Sequence, residues 1–274
     1  MKKDNKNIII TVLLFIIIVL GGILGYVFIL TDSKQVENNL NEVEDKTESK
    51  EETLNPKDYE YLYERLVNVG DIEKDEFITG CSTEKDFLRE GSKNKLDNKY
   101  FMSVALGNLV SKKEYKEVKD EDSFARGSIS EEKVKNQLKE LYDSSIPIKM
   151  GDTYAVIYEA DEKTFYLDDD GLGCLIYDHY ETAPIKAIKK GNILELTIAA
   201  GYTTGGRGET YKFYASEDTS KLVKEFKENE DSEHIDGLSL KDYIVKNADQ
   251  FTQYKLTFKV DNDKYLFSKI EKIK

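Results

Sequence analysis

The sequence predicts an α+β protein in which an N-terminal transmembrane helix precedes helices packed on one face of an antiparallel β-sheet meander. Three observations carry this prediction. Residues 8–30 hold no charged side chain, residues 55–145 show apolar side chains at helical spacing, and residues 146–274 show apolar side chains that alternate with polar ones. Helices followed by a run of strands are typical of α+β domains, and such alternation fits a sheet with one face in water.

The first element is the uncharged run at residues 8–30, which as a helix would rise about 34 Å and so cross a hydrocarbon core of about 30 Å. Lys2, Lys3 and Lys6 precede it. Basic flanks stay in the cytoplasm, which predicts a cytoplasmic tail at residues 1–7 and an extracytoplasmic body. The run is longer than the apolar part of a signal peptide and ends without a small-residue cleavage site, so we expect an uncleaved anchor in the cell membrane.

Two glycines in this run, Gly21 and Gly25, lie four residues apart. This spacing lets two membrane helices pack closely, so a homodimer through Gly21 and Gly25 is one interpretation. The other interpretation is that glycine is simply common in membrane helices.

The charge of the chain is strongly acidic, with a formal net charge of −13. A body of that sign is repelled by nucleic acid and by anionic lipid headgroups, so we expect no nucleic-acid partner. The charge favours cationic ligands or metal ions, or it only keeps the domain soluble.

An acidic stalk and then a sharp domain start follow the predicted anchor. Residues 31–54 are acidic and poor in apolar residues, and repulsion between their carboxylates predicts an extended segment. The folded domain then begins at Asn55-Pro56, a helix N-cap followed by proline in the first turn, and Gly70 marks the end of this helix. Its apolar face consists of Tyr59, Leu62, Tyr63 and Leu66.

The remaining elements follow from periodicity. Helices are predicted at residues 96–110, from Ser130 onwards and, shorter, at 83–90, with a charged loop at 111–128. After Pro147 the pattern predicts strands near 154–158, 165–167, 175–180, 194–198, 211–213, 254–260 and 265–270, interrupted by helices near 219–227 and 239–250. Residues 55–274 form one extracytoplasmic α+β domain, or a helical subdomain at 55–145 followed by a β subdomain at 146–274.

A candidate metal site lies at Asp168, Asp169 and Asp170, the densest acidic cluster of the chain. Ca²⁺ requires several converging oxygen ligands, which an acidic extracytoplasmic loop can supply. An EF-hand loop would need a Glu six residues after its glycine, and here that position is Tyr177. The alternative is a solvated hairpin turn. No other cofactor is predicted.

The two cysteines, Cys81 and Cys174, would both face the oxidising exterior, which permits a disulfide between them. The alternative is that each is a small buried thiol, because a domain of this size can form its core without a disulfide. His179 is five residues beyond Cys174 on one predicted strand, and an odd separation directs the two side chains to opposite faces. His234 lies in an acidic loop and is expected to be exposed.

The glycine-rich stretch at residues 201–208 is compared with phosphate-binding loops because it contains four glycines and Arg207. It lacks the lysine of a P-loop and leads into a strand instead of a helix, so we interpret it as a flexible hairpin loop. The alternative is a ligand contact by Arg207.

Three segments, KLDNKYFMSVALGNL, SISEEKVKNQLKELY and YKLTFKVDNDKYLFSKIEKIK, together with the anchor and the stalk, give the chain a familiar composition. In these features it resembles uncharacterised single-pass, membrane-anchored extracytoplasmic proteins of low-GC Gram-positive bacteria. The resemblance implies a location at the cell envelope, and it assigns neither an activity nor functional residues.

The motifs of two common hydrolase classes, H-E-x-x-H and G-x-S-x-G, are missing from the sequence. The leading hypothesis is therefore a non-catalytic, membrane-tethered binding or interaction module at the bacterial cell envelope, with an envelope protein as one potential partner. The alternative is a cell-envelope hydrolase that uses paired carboxylates, which a cleft with facing carboxyls would favour. A third hypothesis is a subunit of a membrane complex.

Overall fold

The computed structural model of the protein describes residues 51–70, 77–80, 83–118, 125–153, 155–167, 179–205, 210–227 and 231–274. The predicted anchor at residues 8–30 and most of the predicted stalk lie outside these ranges. None of the helices in the described ranges is long and apolar enough to cross a membrane.

Antiparallel strands and five α-helices make up the described part of the chain. The helices are α1 (Glu60–Val67), α2 (Thr83–Asp86), α3 (Asn98–Ser111), α4 (Glu131–Leu141) and α5 (Leu240–Lys246), with a 3₁₀ turn at Pro56–Tyr59 before α1 and a π-helical turn at Phe87–Gly91 after α2. The strands are β1 (Glu51–Leu54), β2 (Lys116–Glu117), β3 (Gly127–Ser130), β4 (Val156–Glu159), β5 (Thr164–Leu167), β6 (His179–Lys190), β7 (Ile193–Thr204), β8 (Tyr211–Tyr214), β9 (Leu222–Phe226), β10 (His234–Ile235), β11 (Leu238–Ser239), β12 (Thr252–Asp261) and β13 (Lys264–Lys272).

The largest sheet has seven strands in the order β1-β6-β7-β12-β13, and the end of β7 also pairs with β8, which pairs with β9. A second sheet has the order β2-β3-β5-β4, and β10 and β11 form a separate hairpin. Every strand pair is antiparallel. The predicted α+β class with an antiparallel sheet is therefore confirmed.

The helix predicted after Asn55-Pro56 begins as expected. The Asn55 side chain accepts a hydrogen bond from the Lys57 amide at 3.4 Å, and Pro56 occupies the first turn. Gly70, three residues after α1 ends, has a φ of 87°, which favours glycine. The predicted apolar face is largely buried, with Leu62, Tyr63 and Leu66 in the core.

The prediction placed residues 51–54 at the end of the stalk, and the structure corrects this boundary. These residues form β1, which pairs with the second half of β6 from Glu51 opposite Lys190 to Leu54 opposite Ala187. Backbone hydrogen bonds to a sheet edge are available to any sequence, so the acidic composition does not prevent pairing. An ion pair of 3.2 Å between Glu51 and Lys190 also offsets the local charge.

The predicted helix near residues 219–227 is wrong, because Leu222–Phe226 is strand β9. Its apolar residues fit a helical face as well as a strand. The preceding turn decides between them: the Asp218 side chain accepts hydrogen bonds from the Ser216 hydroxyl at 2.6 Å and the Ser220 amide at 3.0 Å, which returns the chain alongside β8.

The main core lies between one face of the seven-stranded sheet and helices α1, α3 and α4 with the π-helical turn. It continues from Leu62 in α1 through Phe87 and Leu106 to Phe258 and Ile270 in the sheet. Residues 50–274 form one compact unit. Because one core joins the helices to the strands, the structure does not divide them into separate helical and β subdomains.

Helix α5 corrects the prediction that all helices cover one face of the sheet. Leu240 and Ile244 of α5 pack in a second cluster with Ala199 of β7 and Phe213 of β8. Ala199 neighbours Ala200, which belongs to the main core, and adjacent strand residues face opposite sides. Helix α5 therefore covers the reverse face of the sheet.

Replacing Gly107 in α3 with alanine is expected to destabilise the protein by about 1–3 kcal/mol. A Cβ atom here would lie 2.5 Å from the Val69 Cα and 2.6 Å from the Asn68 carbonyl oxygen, so backbone would have to move. In an open helix the same change would stabilise by up to about 1 kcal/mol. Urea unfolding gives the sign, and Gly151→Ala, where the new Cβ has no neighbour within 4 Å, is the control. Equal unfolding midpoints for both variants would contradict this packing.

Candidate functional site

A cleft of about 610 Å³ opens beside the first half of β6. Strand β1 pairs only with residues 187–190 of β6, so within the described chain no strand covers the outer edge of β6 before that point. Helix α1, helix α2 and the start of α5 border this edge instead. The described residues that line the cleft are Glu60, Tyr61, Tyr63, Glu64, Arg65, Val67, Asn68, Glu84, Asn108, Tyr180, Glu181, Thr182 and Lys241. We refer to it as the Glu84 cleft.

The Glu84 carboxyl lines this cleft and connects three of the elements around it. Its Oε1 atom accepts hydrogen bonds from the Tyr63 hydroxyl at 2.9 Å and from the Thr182 hydroxyl at 3.3 Å. These contacts join α2 to α1 and to β6. Within the described chain, no donor reaches the Oε2 atom. Among the described residues, one carboxyl oxygen is therefore fixed by the protein and the other has no donor.

Burial raises the pKa of Glu84 to about 7, because the charged carboxylate loses hydration. The hydrogen bonds from Tyr63 and Thr182 act in the opposite direction, while the neighbouring negative charge of Glu181 adds to the increase. At this pKa the carboxyl is about half protonated near pH 7. Glu84 is therefore placed to gain or release a proton near neutral pH.

Aromatic packing beneath the cleft holds Tyr63 in position. The Tyr63 ring lies 5.9 Å from the fully buried Phe87 ring, which in turn packs 6.0 Å from Tyr100 and 5.4 Å from Phe267. The Tyr100 hydroxyl donates to the Leu66 carbonyl at 2.5 Å and so fixes the end of α1. Tyr63, one of the two donors to Glu84, is thus held in place by packing against the core.

The two basic side chains of the cleft are engaged by other groups. Lys241 donates to Glu60 at 2.8 Å, and this hydrogen bond raises the pKa of Lys241. The Arg65 guanidinium donates to the Tyr265 carbonyl, and burial lowers the pKa of Arg65. The described part of the lining contains four glutamates against these two cations, which leaves a net charge of −2 when all are ionised (four negative, two positive).

At the start of β6, His179 lies against a carboxylate of the cleft. Its Nε2 atom is 3.4 Å from the Glu181 Oε1 atom. In the sequence His179 is notable only for its spacing from Cys174, which lies outside the described ranges. His234, expected to be exposed in an acidic loop, is exposed, and its Nδ1 atom lies 2.8 Å from Asp231.

Among the described residues that line the cleft, none is a site residue predicted from the sequence. In the described ranges, no group of three or more histidine, cysteine or acidic side chains is arranged to hold a metal ion. The proposed calcium site, disulfide, helix dimer contact and ligand-contacting arginine all stay predictions, because their residues lie outside the described ranges: Asp168, Asp169, Asp170, Cys81, Cys174, Gly21, Gly25 and Arg207.

A second groove, of about 440 Å³, lies between the start of α3 and β13. Its lining includes the apolar side chains of Leu96, Phe101 and Ile146, and among the described lining residues only Lys269 is charged. It has no carboxyl comparable to Glu84, so the Glu84 cleft is the stronger candidate for a polar ligand.

Comparison with known proteins assigns no function to the cleft, so its role has to be argued from its geometry. No protein-family model, no curated protein and no solved structure matches this chain.

Proposed function

We propose that this protein is a membrane-tethered extracytoplasmic binding module of the bacterial cell envelope, and that the Glu84 cleft is its ligand site. The uncharged run at residues 8–30, with lysines on its N-terminal side, supports the tether and its orientation. The observation that carries the binding role is the Glu84 carboxyl, which lines an open cleft and has one oxygen without a donor among the described residues.

The rim of the cleft supports a binding role because it exposes an aromatic ring. Tyr61 is 48% exposed although it stands one position before the buried Leu62. Ligand sites combine aromatic surface with a few polar groups that fix the orientation of the ligand. Tyr61 supplies such a surface, and Glu84, Glu181 and Thr182 supply polar groups beside it.

A hydrolase is the second candidate function, and one specific observation favours it. Glycoside hydrolysis needs one carboxyl that holds a proton and another that is ionised. The pKa of Glu84, raised by burial to about 7, suits a general acid at neutral pH, and Glu181 lies close enough to contribute to that increase.

Replacing Tyr61 with alanine is expected to weaken ligand binding about tenfold or more, because an exposed aromatic contact is lost. A ligand is first identified in a screen, which measures the thermal shift of the 274-residue chain in neutral detergent on addition of soluble wall glycans, wall peptides, amines or sugar alcohols. The matched control is Tyr211→Ala, which removes another exposed tyrosine, 39% accessible and outside the cleft. A ligand that binds wild type and Tyr61→Ala equally would contradict the assignment of the cleft.

The same samples test the hydrolase candidate. If the wild-type chain releases products from wall glycans or peptides and Glu84→Gln does not, the protein is a hydrolase and the non-catalytic proposal fails. Binding without release of any product supports the binding module.

A further inference from the structure

We propose that the Glu84 cleft binds an organic cation, whose ammonium group lies against the Glu84 and Glu181 carboxyls and the neighbouring tyrosine rings. This inference names the ligand class of the proposed function and rests on it. The open cleft and the aromatic surface beside its carboxyls favour an organic cation over a metal ion.

The charge of the lining favours a cation over an anion or a neutral ligand. Lys241 is paired with Glu60, and the Arg65 guanidinium is directed to the Tyr265 carbonyl. Lys241 acts on Glu64 and Glu181 only through its charge, and His179 lies beside Glu181, so within the described lining the four glutamates still outnumber the two cations. An anionic ligand would be repelled by these groups, and a neutral one would leave their charge uncompensated.

Hydrogen-bond geometry supports the same choice. The Tyr63 and Thr182 hydroxyls both donate to the Oε1 atom of Glu84, so the Oε2 atom can accept from a ligand. An ionised carboxylate only accepts hydrogen bonds, and an ammonium group offers three donors and no acceptor. Glu181 supplies a second acceptor on the adjacent strand β6.

The aromatic lining adds a further attraction for a cation. Tyr61, Tyr63 and Tyr180 all border the cleft. Tyrosine faces attract ammonium groups, with about 0.5–1 kcal/mol at exposed sites. Tyr61 is the ring that remains open to solvent and can cover a bound ligand.

Binding of a cation is expected to be linked to ionisation of Glu84. The titratable groups that act on Glu84 are Tyr63 from α1, Tyr100 from α3, and Glu181 and His179 from β6. Its neighbours on α2 are Lys85, whose Nζ lies 5.9 Å from the Tyr202 ring centre, and Asp86, which is paired with Arg89. Burial raises the pKa of Glu84 to about 7, so a cation that needs the ionised form displaces a proton below this pH.

Isothermal titration of the full chain in neutral detergent tests the inference with probes of matched length: cadaverine, pentane-1,5-diol and glutarate, with spermidine as a second cation. We expect cadaverine or spermidine to bind at least about tenfold more tightly than the diol or glutarate. Affinity should be about tenfold lower at pH 6 than at pH 8, with release of about 0.9 proton at pH 6 and about 0.1 at pH 8. The number of protons released is obtained from the difference between the binding enthalpies measured in two buffers of different ionisation enthalpy.

Glu84→Gln should weaken cadaverine binding about tenfold or more at pH 8 and remove the pH dependence of the affinity. Glu225→Gln, a glutamate outside the cleft, should bind as wild type does. Failure of both cations to bind, or binding of the cation that Glu84→Gln leaves unchanged, would overturn the inference. If the diol or glutarate instead binds and Tyr61→Ala abolishes that binding, the cation class is wrong while the proposed function stands. If no ligand in the broader screen binds, the proposed function itself fails.

Discussion

Replacing Phe87 with alanine is expected to lower the free energy of unfolding by about 3–5 kcal/mol. Phe87 is fully buried, and its ring packs against the rings of Tyr63, Tyr100 and Phe267 at 5.4–6.0 Å between centres. The truncation would leave a cavity at the point where α1, α3 and β13 meet. Urea unfolding of the full chain in neutral detergent measures the loss.

The same substitution is also expected to lower the affinity of the Glu84 cleft for its ligand, because the Tyr63 ring would lose its contact with the Phe87 ring. The control is Tyr211→Ala, an exposed aromatic truncation, for which we expect a change within about 0.5 kcal/mol. A loss below about 1.5 kcal/mol for Phe87→Ala would show that the core collapses around the cavity or that the ring is not packed as described.

Elements defined by local signals were predictable from the sequence. The start of the first helix depends on Asn55 and on Pro56, both adjacent to the turn they form. The hairpin between β12 and β13 is another local case. Its turn residues Asn262 and Asp263 have φ values of 46° and 66°, a conformation that asparagine and aspartate tolerate better than most residues.

Elements defined by distant pairing were not predictable. β1 exists because residues 51–54 meet the edge of β6, more than a hundred residues later in the chain. Residues 222–226 form β9 because they pair with β8, although the spacing of their apolar side chains also fits a helix. In both cases the tertiary partner decides the conformation, and local composition does not contain that information.

The Glu84 cleft belongs to this second class. Glu84 is one of 53 acidic residues and carries no motif. Its partners, Tyr63 and Thr182, are 21 and 98 residues away in the sequence. The spacing of apolar residues predicts Tyr63 on an apolar helix face, and its ring is indeed buried there. This spacing gives no indication that its hydroxyl binds Glu84. Only folding brings these hydroxyls to one carboxyl.

Replacing Glu84 with glutamine is expected to stabilise the ligand-free protein at alkaline pH by about 3–4 kcal/mol. In the folded state burial raises the pKa of Glu84 to about 7, whereas an unfolded glutamate has a pKa of about 4.3. Between these values the folded protein holds a proton that the unfolded chain has released. The stability of the wild type therefore falls as the pH rises from about 4 to about 7, and the cost of the buried charge is complete above that range.

Glutamine removes this cost because it is neutral at every pH and its amide oxygen can still accept from Tyr63 and Thr182. The two proteins should thus be nearly equal in stability at pH 4, and the difference should grow until about pH 7 and then stay constant. Urea midpoints at four pH values measure the profile, and subtraction cancels the titration of groups that both proteins share. Glu225→Gln, an exposed glutamate 3.8 Å from Lys212, is the control and should run parallel to wild type. If Glu84→Gln also runs parallel, the carboxyl is ionised in the folded protein throughout this range. The proton that a bound cation is proposed to displace would then not be there.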